Sequence, residues 1–344
     1  MGGFALGNEM TVRQREAWGL AAMSAPTVLL LTGLGWTWVL LGSLGAVCLR
    51  AALSALDAGA EGTLAEKTLR AFGRPVGAGI LLLSALWLTL VLARTAAQAN
   101  TAYPDDHLGQ LPAVVLLALA AYCAWTGKQT AQNCAGVLAL LLAALYALLL
   151  IAAAGTVEWA WCAPWGEPED TAEALAVGLI PAAALYLPQK RGQSPAGLTV
   201  AALAPAALAL VTAGTLSPAL AAREPIPFYT VAKSLHLFSV MERVEPILSG
   251  AMLLGMFCLA ALFVRAAAEL LRRACGLEEK WGSLAVCALA LPTSIYTGRI
   301  PERVWVCAAG IFWGLLPVLT LWVASGKKTE KNRKKQKKRL DKST

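Results

Sequence analysis

Charged positions in this chain are sparse, and they punctuate long apolar runs. Uncharged runs occupy residues 17–49, 76–93, 108–127, 129–157, 174–189, 192–222, 246–264, 281–298 and 304–326. Most reach the roughly 20 residues that an α-helix needs to cross a bilayer. The first has 33 residues, about 50 Å as a single helix, so Gly33-Leu34-Gly35 is read as dividing it into two spans. No alternation in roughly ten-residue segments, the mark of a transmembrane barrel, is present. The pattern predicts an all-α polytopic membrane protein with about ten transmembrane helices.

One run is unlike the others. Its uncharged core, residues 174–188, is short for a span, and Gly178 and Pro181 interrupt it midway. A short apolar segment broken by Gly and Pro fits an unwound helix lining a polar cavity, because backbone freed from helical bonding in a bilayer must be satisfied inside the protein. A Pro-kinked helix without a site fits the same residues. The first span carries a second interruption, Ala22-Met23-Ser24-Ala25-Pro26-Thr27. Paired breaks in the first and sixth spans are what two inverted five-helix repeats around a midplane site would give.

The connecting charges set a topology. Basic connections (Arg50, Lys67, Arg70 and Arg74; Lys128; Lys190 and Arg191; Arg265, Arg272, Arg273 and Lys280) alternate with acidic or mixed ones, such as Asp105-Asp106 and the loop with Glu158, Glu167, Glu169 and Asp170. By the positive-inside rule both termini are cytoplasmic. Between the seventh and eighth spans, Pro225 and Pro227 open a long connection in which Phe228, Val231, Ala232, Leu235 and Phe238 recur at helical spacing. This predicts a short amphipathic helix, either lying at the interface or covering an outward cavity as a lid. Two domains follow: a transmembrane domain over residues 1–326 and a basic cytoplasmic tail, expected to be disordered, over 327–344.

Composition sharpens this reading. The chain is 58% hydrophobic and 15% charged, with mean hydropathy +0.60, against about 25% charged in soluble domains. Net charge is +8, and the tail alone, with ten Lys/Arg against Glu330 and Asp341, accounts for it. A basic segment just inside a span attracts anionic lipid, so no nucleic-acid partner is inferred. The N-terminal apolar run is too long for a cleavable signal. Eight cysteines are scattered without Cys-x-x-Cys spacing, mostly in apolar runs, and His107 and His236 are the only histidines. Neither a disulfide framework nor a metal site is expected. No P-loop, dinucleotide fingerprint, nucleophile elbow or His/Glu metal motif occurs, so neither a cofactor nor an enzyme activity is expected. Arg94, near the end of the third span, either snorkels to the headgroups or pairs with a carboxylate such as Glu242 or Glu245.

Several stretches resemble the spore germination permease family, the membrane B subunits of nutrient germinant receptors. They are Leu64-Ala65-Glu66 through Phe72-Gly73-Arg74-Pro75-Val76-Gly77 with Arg94 beyond; Leu111-Pro112 and Trp125-Thr126-Gly127-Lys128; Leu185-Tyr186-Leu187-Pro188; and Pro225 to Glu245, containing Ile-Pro-Phe-Tyr-Thr-Val-Ala-Lys-Ser and Met-Glu-Arg-Val-Glu. The resemblance implies membership of the amino acid/polyamine/organocation superfamily, with a LeuT-like fold of five plus five inverted helices broken in helices 1 and 6. It also implies a subunit that binds a small nutrient, such as an amino acid, and acts with receptor A and C subunits in the inner spore membrane. The alternative is a secondary transporter of amino acids or related small amines. The sequence departs from the family at both breaks: Ala25-Pro26-Thr27 replaces a Gly-x-Gly-like pair, and Ala182-Ala183 stands where a polar residue is common. Recognition would then rest on main-chain groups and shape.

The LeuT-like geometry implied by the resemblance nominates ligand-binding residues: Ser24, Ala25 and Thr27 at the first break; Trp87 and Val91 on the third span; Gly178, Leu179 and Ile180 at the sixth; and Gly255, Leu259 and Phe263 on the eighth. Phe228, Tyr229, Glu242, Arg243 and Glu245 are the expected lid or gate. Replacing Leu179 by Trp should fill the sixth-helix break and abolish the ligand response while the protein still inserts. Unchanged sensitivity of the variant would place the site elsewhere.

Overall fold

Apolar runs this long leave the backbone no solvent partner in a bilayer, so intrahelical bonding is the expected solution. In the computed structural model, residues 36–56, 63–102, 109–126, 138, 141–142, 144–148, 150–162, 179–180, 196–216, 220, 223–224, 227, 230–231, 245–324 and 326 are described. Every regular element among them is helical. The main helices are α1 (Trp36–Leu56), α2 (Leu64–Phe72), α3 (Arg74–Ala102), α4 (Leu111–Trp125), α5 (Ala196–Thr215), α6 (Glu245–Cys275), α7 (Glu279–Ser294) and α8 (Glu302–Ala309). A π-helical turn, Gly310–Leu315, follows α8 directly. Among the described residues, three stretches are long and apolar enough to cross a membrane: Arg74–Asn100, Leu253–Cys275 and Arg303–Ala324. The chain is therefore an all-helical membrane protein over its described residues.

Helix α6 is the hub. It packs against α3, α4 and α7, while α7 also reaches α3 and α4, and α1 pairs with α5. Small residues permit the closest of these approaches. Gly282 of α7 faces Ala268 of α6, where an added Cβ would lie 3.4 Å from the Ala268 Cα. With lipid on the outside there is no hydrophobic drive between helices, so such close van der Waals packing is what holds them together. Three buried hydroxyls of α3 are made compatible with the apolar interior by their own helix. Ser84, Thr89 and Thr95 donate to the carbonyls of Ile80, Ala85 and Val91, at 2.9, 2.8 and 3.0 Å.

Two helices outrun the apolar patterns that predict them. α3 continues through Ala102, eight residues beyond Arg94. Its far end is fastened by Asn100, whose Oδ1 accepts from the Ala113 amide (3.0 Å) and whose Nδ2 donates to Gln110 Oε1 (2.8 Å), thereby capping the start of α4. α6 continues past Val264 through Arg265, Glu269, Arg272 and Arg273. It stops at Gly276, whose φ of 75° suits glycine and whose amide donates to the Arg272 carbonyl at 2.9 Å. Charge alone does not end a helix whose polar turns find partners.

The connection read as a basic loop before the third span contains a helix, α2. Thr63 caps it, its Oγ1 accepting from the Glu66 amide at 3.3 Å, in a Thr-x-x-Glu arrangement that marks a helix start. α2 turns back onto the base of α3 so tightly that a Cβ on Gly77 would lie 2.9 Å from the Leu69 Cα.

An ion-pair network joins α2, α6 and α7. The Glu269 carboxylate, almost fully buried, accepts two hydrogen bonds from Arg272 (2.8 and 2.7 Å) and one from Arg273 Nε (2.7 Å). Arg273 Nη1 also donates to Glu66 of α2, and Arg272 Nε lies 3.2 Å from Glu279 of α7. Glu269→Ala should destabilise the fold by about 3 kcal/mol, because two guanidinium groups lose the carboxylate between them. Thermal unfolding of the purified protein in detergent measures this, and an unchanged midpoint would show that the network carries no stability.

Candidate functional site

Four aromatic rings converge on the middle of α3. Trp87 stacks on Phe312 (centroids 5.7 Å apart, planes at 11°) and meets Trp313 edge-on (5.5 Å, 66°) and Trp305 at a tilt (5.5 Å, 50°). The sequence brings them together simply. Trp305, Phe312 and Trp313 are spaced i, i+7 and i+8, one face of a helix, and the π-helical turn contains the latter two. π-helical turns often occur at functional sites. Trp87, Trp305 and Trp313 are 4%, 5% and 2% exposed, so the nest is closed to solvent.

Above Trp87 on the same helix, Arg94 lies over the Trp305 ring, its Cζ 4.9 Å from the centroid. A guanidinium on an indole face is favourable by about 0.5–2 kcal/mol, more where water is excluded. Arg94 is half-buried. Of its alternative carboxylate partners, Glu242 and the Glu245 side chain lie outside the described residues.

Two donors in the nest stand out. Trp87 Nε1 and Trp313 Nε1 are buried, and no acceptor among the described residues reaches either. Indole N–H is a donor only, and leaving one buried without a partner costs about 1–3 kcal/mol. Two such groups in one nest with a guanidinium nearby make a donor-rich spot inside an apolar wall.

The residues nominated from sequence fall into three groups. Trp87 and Val91 on α3, Leu259 and Phe263 on α6, and Ile180 are all buried in one contiguous core, with Leu179 packed against it and Gly255 buried on α6. Leu179 and Ile180 form a turn and a single 3-10 position rather than α-helix, and Leu179 Cδ2 would lie 3.9 Å from a Cβ on Gly45 of α1. Ser24, Ala25, Thr27 and Gly178 lie outside the described residues, as do Phe228, Tyr229, Glu242 and Arg243. Glu245 begins α6.

Groups that the sequence did not bring forward are Trp305, Phe312 and Trp313 in the nest and the buried Glu269, while Lys67 and Arg265, read from sequence as charges of connecting loops, are buried on helices α2 and α6. The i, i+7, i+8 aromatic stripe and the Glu269 to Arg272/Arg273 spacing are visible signals for them. In the connection after the fifth span, Cys162 follows the 3-10 turn Trp159–Trp161. Its Sγ donates to the Glu158 carbonyl at 3.8 Å, and burial pushes its thiol up, so it stays protonated at neutral pH and is a poor nucleophile.

Compared with known proteins, the chain matches no family model and no curated sequence.

The nest generates a direct stability prediction. Trp87→Ala should cost about 3–5 kcal/mol, the usual range for emptying an aromatic site in a packed interior. Thermal unfolding reports it, and a loss below about 1 kcal/mol would mean that the rings collapse onto the vacated volume.

Proposed function

We propose that this chain is the membrane-embedded, permease-like subunit of a nutrient germinant receptor. In this reading it has ten spans in a LeuT-like arrangement of five plus five inverted helices, broken at helices 1 and 6, with both termini cytoplasmic in the inner spore membrane. It binds a small nutrient, such as an amino acid, and acts with A and C receptor subunits, while the basic tail holds anionic lipid.

The observation that carries the reading is the packing of α3 on α6. These correspond to the third and eighth spans, and their nominated faces are buried in one core together with the non-helical Leu179-Ile180 step. In this reading the sixth helix is broken at that step, and a site framed by two continuous helices and a broken one is the geometry of midplane recognition in such folds. The quoted germination-family motifs add the biological context. The α2 helix, which holds one of them, is tied to α6 through Glu66 and Arg273. A movement of α6 around bound nutrient would therefore be felt at the cytoplasmic end, where partner subunits are within reach of the signal.

The reading is tested in a spore former that carries the gene. Deletion should abolish germination triggered by one nutrient and leave other triggers intact. Normal germination with every nutrient would overturn it. Saturable uptake of labelled amino acid into proteoliposomes containing the chain alone would instead favour the secondary-transporter reading.

A further inference from the structure

We propose that the corner where the end of α4 meets the start of α7, built from Trp125, Trp281 and Lys280, is a docking site for a monoanionic phospholipid. The headgroup sits at the corner and the acyl chains lie along the apolar face that the two helices share. The inference needs only that the chain lies in a membrane and does not rest on the germination reading.

The corner is assembled from two elements. The rings of Trp125 and Trp281 meet edge-on, with centroids 6.1 Å apart and planes at 78°. Lys280 Nζ lies over the Trp125 ring, 5.6 Å from its centroid. All three side chains are exposed. The neighbouring Glu279 is turned to Arg272 of α6, at 3.2 Å. The corner thus offers one ammonium and two indole N–H donors, which suits the single charge and the acceptor oxygens of a phosphate diester. The choline or ethanolamine group of a zwitterionic lipid is a cation, and the aromatic face that would attract it is already taken by the Lys280 ammonium. The opposing charge at the corner is Glu278, exposed two residues before Lys280.

The face running from the corner supports the same ligand. α4 and α7 pack on each other, and Val115, Leu119, Leu284 and Leu289 are exposed along them. No charged residue occurs in α4 or between Lys280 and Arg299. At the far end of α7, Tyr296 is exposed and Arg299 lies over its ring, 5.4 Å from the centroid. Aromatic and cationic residues at both ends of an apolar band mark the two headgroup levels of a bilayer. Trp281 and Tyr296 are about 22 Å apart at the helical rise, less than the roughly 30 Å of a hydrocarbon core. A bilayer meets such a short band by thinning, which brings phosphates to the level of Lys280. An apolar face that ends in a cation and two N–H donors is matched by an amphiphile with an anionic head.

The test uses the full-length chain in detergent, titrated with phosphatidylglycerol and with phosphatidylcholine of the same chains, with bound lipid counted by native mass spectrometry. Phosphatidylglycerol should be retained in preference to phosphatidylcholine. Lys280→Gln should cut that preference about fivefold, the effect of one basic group near an anionic surface. Trp281→Leu keeps an apolar side chain and removes one N–H, so it should weaken retention about threefold. Glu278→Gln should strengthen it. The Lys280 effect should persist when the ten Lys/Arg of the tail are replaced by Gln, which separates this site from the tail. Equal phosphatidylglycerol retention in wild type and Lys280→Gln, or a Lys280 effect that vanishes once the tail is neutral, would overturn the proposal. A dimer that takes the place of bound lipid and is lost in Trp281→Leu would assign the face to a second copy of the chain and overturn it equally.

Discussion

The interaction on which the rest of this structure depends is the carboxylate of Glu269, held between Arg272 and Arg273 near the end of the long central helix. A lone charge at that depth would be costly to bury. With its oxygens taken by two guanidinium groups, and those in turn reaching Glu66 and Glu279, the charge is compensated, and α6 extends as one helix from Glu245 to Cys275. Lys67 and Arg265 are buried as well, and both have partners. The network joins α2 and α7 to the same end of α6, so the helix that contacts α3, α4 and α7 is also electrostatically fastened at its base.

Away from that base the packing changes character. Between α3 and the α8 segment it is aromatic, with Trp87 touching three rings. Between α6 and α7 it is small-residue packing, as at Ala268 and Gly282. Aromatic pairs contribute about 0.5–1.5 kcal/mol each beyond the area they bury, and they set ring orientation as well as contact. The polar atoms inside follow two regimes. Hydroxyls of Ser84, Thr89 and Thr95 are satisfied within their own helix. The indole nitrogens of Trp87 and Trp313 and the hydroxyls of Thr37, Ser43 and Thr320 find no partner among the described residues; an indole cannot fold back onto the carbonyl of the preceding turn as a hydroxyl can.

A receptor subunit and a transporter can share this architecture. What separates them is whether the site must open to both sides or only change the position of a helix that partners can sense. The proposed sensing role draws on the second option. In the proposed role, the tied base of α6 would pass a small displacement of that helix to its neighbours α2 and α7.

Runs of Leu and Ala with few charges already mark a helical membrane protein, because they leave only intrahelical bonding for the backbone in lipid. The family resemblance, with i+4 spacing on each of two helices, nominated Trp87 with Val91 and Leu259 with Phe263, and all four are buried in one core. α2 was legible too, in the Thr63–Glu66 capping pair, but a basic stretch between apolar runs reads more readily as a loop. Only the tertiary structure decided that α6 runs on to Cys275, since helix length there depends on Glu66 and Glu279 arriving from other elements to complete the charge network. It likewise decided that Trp305, Phe312 and Trp313 meet Trp87. Periodicity can place residues on one face of a helix, whereas which two faces touch is settled by packing between segments more than 200 residues apart in the chain.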